Sequence, residues 1–199
     1  NVKNFAKGTS VFVGFQNYIS LIHDSTFQLV FRNTIVFTIA CLVVQFTIGF
    51  ILAVFFSQKF SIAGPIRGLI LVAYMMPMSV TALLGKNLFG VSEGVINDLL
   101  MKIGIIHEPI EWLVSSSTAM FAVIAVNCWV GIPFNMLLLT SGLTGISEDV
   151  YESASLDGAN RMQRFFYITL PLMKSSILAV LMLGFIYTFK AFDLMFIMT

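Results

Sequence analysis

Four stretches of this chain are apolar for long enough to cross a bilayer, and that removes most folds from consideration. A spanning helix needs about 20 mostly apolar residues. Residues 29–56 qualify, interrupted only by Arg32, Asn33 and Gln45, as do 68–84, with Pro77 inside, and 119–140, with Pro133 inside. The fourth, 176–199, carries Lys190 and Asp193 near its end. Backbone amides cannot stay unpaired in lipid, so spanning segments must be helices or the strands of a closed barrel. Barrel strands alternate apolar and polar residues, and these stretches do not. The expected fold is therefore all-α, a polytopic bundle of transmembrane helices. Pro77 and Pro133 each remove a helical hydrogen bond and are expected to kink or break their helices.

Composition agrees with a lipid solvent. Hydrophobic residues make up 58% of the chain and charged residues 11%, against about 25% charged in soluble domains. The formal net charge of +1, with no run of basic residues, leaves no electrostatic case for nucleic acid. Cys41 and Cys128 both fall inside apolar stretches and read as small buried hydrophobes rather than a disulfide or metal framework. The chain carries no phosphate-binding loop, no H-E-x-x-H and no cysteine cluster, and His23 and His107 lie far apart in polar segments. No catalytic, metal or cofactor site is expected, so any energy source must belong to a partner.

Charge concentrates in 141–175. Ser147 can cap a helix whose first turn, Glu148 and Asp149, suits the positive end of its dipole. Gly158 fits the left-handed position that stops such a helix. A second short helix is expected from Ala159 to Ile168, with Met162, Phe165, Phe166 and Thr169 as its apolar face, and Pro171 ends the segment. Two short helices hinged at a glycine suit either a pair lying on lipid headgroups or a docking element for a soluble partner. The remaining segments, 1–28 and 85–118, are mixed polar and apolar, and 57–67 is a short polar turn. Lys and Arg divide evenly between the two sides, with Lys59, Arg67, Arg161, Arg164 and Lys174 on one and Lys3, Lys7, Arg32, Lys86 and Lys102 on the other. The positive-inside bias therefore gives no orientation.

The spacing of the charged loop carries a resemblance. Glu152-Ser153-Ala154, three residues, Gly158, nine residues, then Ile168, Leu170 and Pro171 resembles the EAA loop of permease subunits of binding-protein-dependent ABC importers, with Ser153 replacing the usual alanine. Phe12-Val13-Gly14-Phe15-Gln16-Asn17-Tyr18, the stretch from Gly131 to Asn135, and Phe192-Asp193-Leu194 resemble the carbohydrate-uptake branch, closest to the first-permease type of maltose and glycerol-phosphate systems. The resemblance implies that residues 1–199 are one transmembrane permease domain whose coupling loop, 147–171, faces the cytoplasm and docks a dimeric ABC ATPase. It implies three further associations: a second, non-identical permease subunit, an extracytoplasmic solute-binding protein meeting 1–28 and 85–118, and the cell membrane itself. Glu152 would pair with a basic group of the ATPase, Ala154 would permit close approach, and Leu170 and Pro171 would tie the loop to the last span. At least one more helix is expected before Asn1 and another after Thr199.

Polar residues inside spans are candidates for a solute path. Asn127, Gly131 and Asn135 share roughly one helix face, and Gln45 is a further candidate. The competing use, hydrogen bonding between helices, is common for such residues in membranes. Lys190 and Asp193 are spaced to pair on one face, and Trp129, mid-span, is expected to pack. An ion-coupled carrier would need buried acidic residues or paired broken helices, and no Asp or Glu lies mid-span. A membrane scaffold that docks a soluble partner without transport differs only in lacking the path.

Overall fold

A computed structural model of the chain describes residues 2–4, 9–11, 14–58, 62–92 and 94–199, with side chains from residue 14 onward. Among the residues singled out above, Lys7, Phe12, Val13 and Lys59 lie outside the described residues, as does the side chain of Lys3. The chain divides into two units, Asn1–Phe37 and Thr38–Thr199.

In the first unit, β1 (Val2–Asn4) pairs antiparallel with β2 (Thr9–Val11), Val2 opposite Val11. This strand pair stands in a segment whose sequence is mixed polar and apolar and gives no strand signal. Helix α1 (Gln16–His23) follows. Asp24 caps the next helix, its Oδ1 accepting the Phe27 amide at 2.8 Å, which satisfies one of the unpaired amides of a helix start. His23 is exposed and bonds Ile19 O through Nδ1.

Beyond the hairpin every regular element among the described residues is a helix. Helix α2 is Ser25–Ser57; α3 (Ala63–Met75) and α4 (Met78–Leu88) meet at 94°. After α5 (Val95–Lys102) comes the long α6 (Ser116–Thr144). Then follow α7 (Glu148–Leu156), α8 (Arg161–Arg164), a π-helical turn over Phe165–Thr169, and α9 (Leu170–Leu172). The chain closes with α10 (Lys174–Phe189) and α11 (Phe192–Met198). Helices α2 and α6 are each long and apolar enough to cross a membrane, and the bent pairs α3–α4 and α8-to-α10 extend this to four crossings if each pair is one span.

The two prolines act differently. Pro77 stands at the N-cap of α4 with ψ 138°, and Met76 before it is extended, ψ 134°, because a proline pushes the preceding residue out of helical geometry. The Pro77 carbonyl accepts both the amide and the hydroxyl of Thr81. Pro133 leaves α6 unbroken; neighbouring helices stabilise such a position in membranes. The last apolar stretch is not one helix: it breaks at Lys190–Ala191. That break removes the spacing expected to pair Lys190 with Asp193, and no ion pair joins them. Instead Lys86 Nζ donates to Ile197 O at 3.1 Å, a cation on the last carbonyls of α11.

A face of small and polar residues on α2, with Cys41, Gln45, Gly49 and Ala53 all buried, turns inward, while Ile39, Val43 and Ile51 are exposed. This is the pattern of helices that approach closely in lipid. A buried cluster of Ala53, Phe56, Ala63, Met136, Leu139, Met173 and Val180 joins α2, α3, α6 and α10. Arg67 Nη2 donates to Phe56 O at 2.6 Å and so closes the end of α2 onto α3.

One side chain organises 89–112. Asn97 is 1% exposed. Its Oδ1 accepts from Ile110 N at 3.1 Å and from Trp112 Nε1 at 2.8 Å, and its Nδ2 faces the carbonyls of Gly90, Val91 and Ile110. Phe89 meets Trp112 edge-on, and Trp112 in turn meets Phe121. An Asn97→Leu substitution keeps the branched shape but strands two partly buried N–H groups, each costing about 1–3 kcal/mol. It is expected to lower stability by roughly 2–5 kcal/mol and to speed hydrogen exchange of the Ile110 amide. Unchanged exchange there contradicts this account.

Candidate functional site

The helix following Ser147 begins as its sequence suggests, with Glu148 and Asp149 in the first turn, but Ser147 does not cap it through its side chain; its hydroxyl donates to Asp149 Oδ2 at 3.3 Å. The other end of α7 is tightly specified. Ala159 N donates to Ala154 O at 2.9 Å and Gly158 N to Ser155 O at 3.1 Å, the paired bonds of a Schellman stop. Gly158 has φ +80° and nothing within 4 Å of where a Cβ would stand. A side chain there meets no neighbour, so only backbone strain opposes it.

Helix α8 opens on a reciprocal capping box, Asn160 Oδ1 accepting Gln163 N and Gln163 Oε1 accepting Asn160 N. Two side-chain bonds then tie the pair of helices together, Arg164 Nη1 to Ser155 Oγ at 2.6 Å and Tyr151 OH with Thr169 Oγ1 at 3.0 Å. The expected apolar face is only partly inward. Phe165 meets the ring of Phe50 edge-on and Thr169 is buried, but Met162 and Phe166 are exposed. The π turn widens the helix from Phe165 onward, so spacing counted at 3.6 residues per turn loses register there. Pro171 does not end the segment, which continues to Leu172 before bending by 63° into α10. Glu152, Ser153, Gly158 and Pro171 are exposed, and Ala154, Ile168 and Leu170 half-buried.

The polar residues inside the spans separate into two groups. Gln45 Nε2 donates to Asn127 Oδ1 at 2.6 Å and faces Asn127 O at 3.3 Å, joining α2 to α6. Both residues are buried, at 3% and 5% exposure. Gly131, one turn on, lies against Gln45; a Cβ there would overlap the Gln45 amide. These three residues also line a cleft of about 190 Å³ together with Thr188 and the aromatic rings of Tyr74, Phe134 and Tyr187. Tyr74 stacks on Phe134 at 5.4 Å, and Phe134 meets Tyr187 edge-on at 5.6 Å. Asn135 is not part of this cleft. Its Nδ2 bonds Gly131 O at 2.8 Å, and a Cβ on Gly49 would stand 2.6 Å from its own Cβ, so it sits at a tight crossing of α2 and α6.

The three rings are absent from the sequence-derived candidates. Phe134 follows Gly131 by three residues and so shares its face, which is the signal that would have marked it. Tyr74 and Tyr187 come from other helices and carry no such signal. Trp129, expected to pack, is 63% exposed. It stands between two apolar grooves that share Met76, at the break between α3 and α4, where the bend leaves its ring uncovered.

Comparison with known proteins bears on this arrangement. Residues 45–199 match the family described as binding-protein-dependent transport system inner membrane component. The chain is 30% identical over 188 residues to the trehalose/maltose transport system permease protein MalF of Thermococcus litoralis, covering 94% of this chain and 63% of that protein. It is 34% identical over 188 residues to the sulfoquinovosyl glycerol transport system permease protein SmoG of Agrobacterium fabrum, covering 94% and 60%. It is 31% identical over 183 residues to the lactose transport system permease protein LacF of Rhizobium radiobacter, covering 92% and 61%. The chain thus spans somewhat over half the length of these relatives. In fold it is similar to a chain of a bacterial alginate ABC transporter crystallised with an alginate pentasaccharide-bound periplasmic protein, with a TM-score of 0.76 at 24% identity, covering 86% of this chain and 60% of that one. An all-α transmembrane bundle, with a family match over residues 45–199, places this chain in the family of inner membrane components of binding-protein-dependent transport systems.

Proposed function

We propose that this chain is the translocating part of an ATP-driven importer for a carbohydrate or related polar solute, with ATP hydrolysed on a separate subunit. The observation that carries the reading is the pair of exposed helices α7 and α8. They are stopped at Gly158, cross-tied by Tyr151–Thr169 and Ser155–Arg164, and continuous through Leu170 and Pro171 with the bend into α10. Such an element transmits a push from a soluble partner without slack. Glu152 supplies its exposed carboxylate and Ser153 and Ala154 its small surface. Gly158 fixes the turn, and Ile168, Leu170 and Pro171 anchor it. A dimeric ABC ATPase is the partner of this surface, and closure of that dimer would move the loop and, through it, the spans.

The solute path is assigned to the cleft between α2, α3, α6 and α10. Gln45 and Asn127 offer amides, Thr188 a hydroxyl, and Tyr74, Phe134 and Tyr187 flat apolar faces. Sugars carry hydroxyls around apolar C–H faces, and a few placed polar groups with aromatic walls is the usual character of a small-molecule site. Several relatives are named for the transport of sugars, including trehalose/maltose and lactose, which favours this solute class. Asn135, buried at the α2–α6 crossing, is assigned to packing. A second permease subunit and an extracytoplasmic solute-binding protein complete the assembly, whose setting is the cell membrane. The ion-coupled carrier and the non-transporting scaffold gain no observation.

The test is uptake by the complete importer carrying Phe134→Ala or Tyr187→Ala. Each is expected to lower uptake about tenfold, the loss of one stacking face worth about 1.4 kcal/mol, while the ATPase still co-purifies. Uptake unchanged in both variants would remove the cleft from the path.

A further inference from the structure

Helix α5 joins α4 to α6 on the side of the membrane opposite α7, because α6 leads to α7 from its other end. Its surface divides into three sectors. At roughly 100° per residue, Val95, Leu99 and Ile103, the residue that caps it, fall within one arc of about 80°. They are 58%, 54% and 59% exposed. Asp98 and Lys102, also exposed, occupy the adjoining arc. Asn97 lies on the far side, buried and bonded to Ile110 and Trp112. A helix that met only protein and water would show two sectors. An apolar arc left open beside a charged one is the mark of a helix lying in the plane of a bilayer surface, with its charges toward water.

We propose that α5 is seated in the interfacial layer of the membrane, Val95, Leu99 and Ile103 in contact with lipid, and that Asn97 fixes this rotation. Three observations select lipid over a protein occupant. The preceding α4 also leaves apolar side chains open, Leu84 and Leu88 being 45% and 40% exposed. Only a few residues separate α5 from the end of α4, so it cannot rise far from the bilayer. The adjoining Trp112, its ring nitrogen bonded to Asn97, meets Phe89 and Phe121, an aromatic cluster of the kind found at headgroup level. The five bonds around Asn97 hold the helix against rolling, which would otherwise bury the apolar arc against protein.

The experiment places a nitroxide on single cysteines in the complete protein in lipid nanodiscs and compares collisions with oxygen, which concentrates in lipid, and with a polar nickel chelate. The sites are Val95→Cys, Leu99→Cys, Ile103→Cys, Asp98→Cys and Lys102→Cys, with Ile39→Cys as the membrane control. Cys41 and Cys128 are buried, so within residues 1–199 the introduced thiols are the reactive ones, and any cysteine elsewhere in the complete protein is first replaced by serine. Oxygen collisions are expected to exceed nickel collisions several-fold at positions 95, 99 and 103 and to fall below them at 98 and 102. Adding Asn97→Leu should erase that contrast. Nickel-dominated values at 95, 99 and 103, with Ile39→Cys still lipid-like, overturn the proposal in favour of a water-facing helix. Low collision rates with both reagents overturn it in favour of a protein partner. A control that is itself nickel-dominated contradicts the membrane placement of α2 and, with it, the proposal.

Discussion

Gly131→Leu is expected to force α2 away from α6 and to abolish transport. Gln45 fills the space a side chain at 131 would need, and it cannot step aside cheaply, because its amide is buried and pinned to both oxygens of Asn127. Overpacking costs about 1–3 kcal/mol, and an amide freed without a partner costs a similar amount, so roughly 2–5 kcal/mol of stability should be lost. The same displacement widens or closes the cleft that Gln45, Asn127 and Gly131 line. Gln45→Ala combined with Gly131→Ala should be more stable than the sum of the two single changes implies, since the first removes the obstacle met by the second. Thermal denaturation in detergent measures both. A Gly131→Leu protein as stable as the parent would show that the two helices do not meet there.

The second large effect belongs to the loop. Gly158→Val puts a β-branched residue at φ +80°, a conformation that costs non-glycine residues about 1–2 kcal/mol or more. The chain escapes by letting α7 unwind from its Schellman stop, which loosens the exposed helix end and the tie from Ser155 to Arg164. Binding of the ATPase should fall by about tenfold or more, the equivalent of about 1.4 kcal/mol, measured as the fraction that co-purifies with the tagged complete protein. Stability of the membrane part should hardly change, because nothing packs on Gly158. Gly158→Asn, whose side chain tolerates left-handed backbone, should retain most of the binding. If the valine variant binds as the parent does, the loop is not the dock.

Much of this was legible in the sequence because lipid imposes simple rules. Long apolar runs announced helices, and the hinge at Gly158 followed from a residue type that few other positions require. What the sequence hid was of two kinds. Some features depend on backbone geometry that periodicity does not encode. The π turn at Phe165–Thr169 shifted the register of the residues within it, the chain ran on through Pro171, and the last apolar stretch broke at Lys190–Ala191. Pro77 and Pro133 are the same residue type, yet one separates two helices and the other does not, a difference set by what surrounds each. Other features depend on assembly in three dimensions. Asn127 and Gly131 stood out as polar or small within an apolar run, whereas Tyr74, Phe134 and Tyr187 join them only once three helices are packed. Asn135 shares the periodicity of Asn127 and Gly131 but lies at the helix crossing, because α2 approaches at Gly49.

The most direct test of the central claim is solute uptake by proteoliposomes containing the complete protein with a candidate second permease subunit and a candidate ABC ATPase, and a candidate solute-binding protein outside. Accumulation is expected only with ATP at the ATPase face and binding protein at the other, and to cease when Gly158→Val uncouples the loop. Accumulation that proceeds without ATP and follows an imposed ion gradient would contradict the account and make the chain part of an ion-coupled carrier.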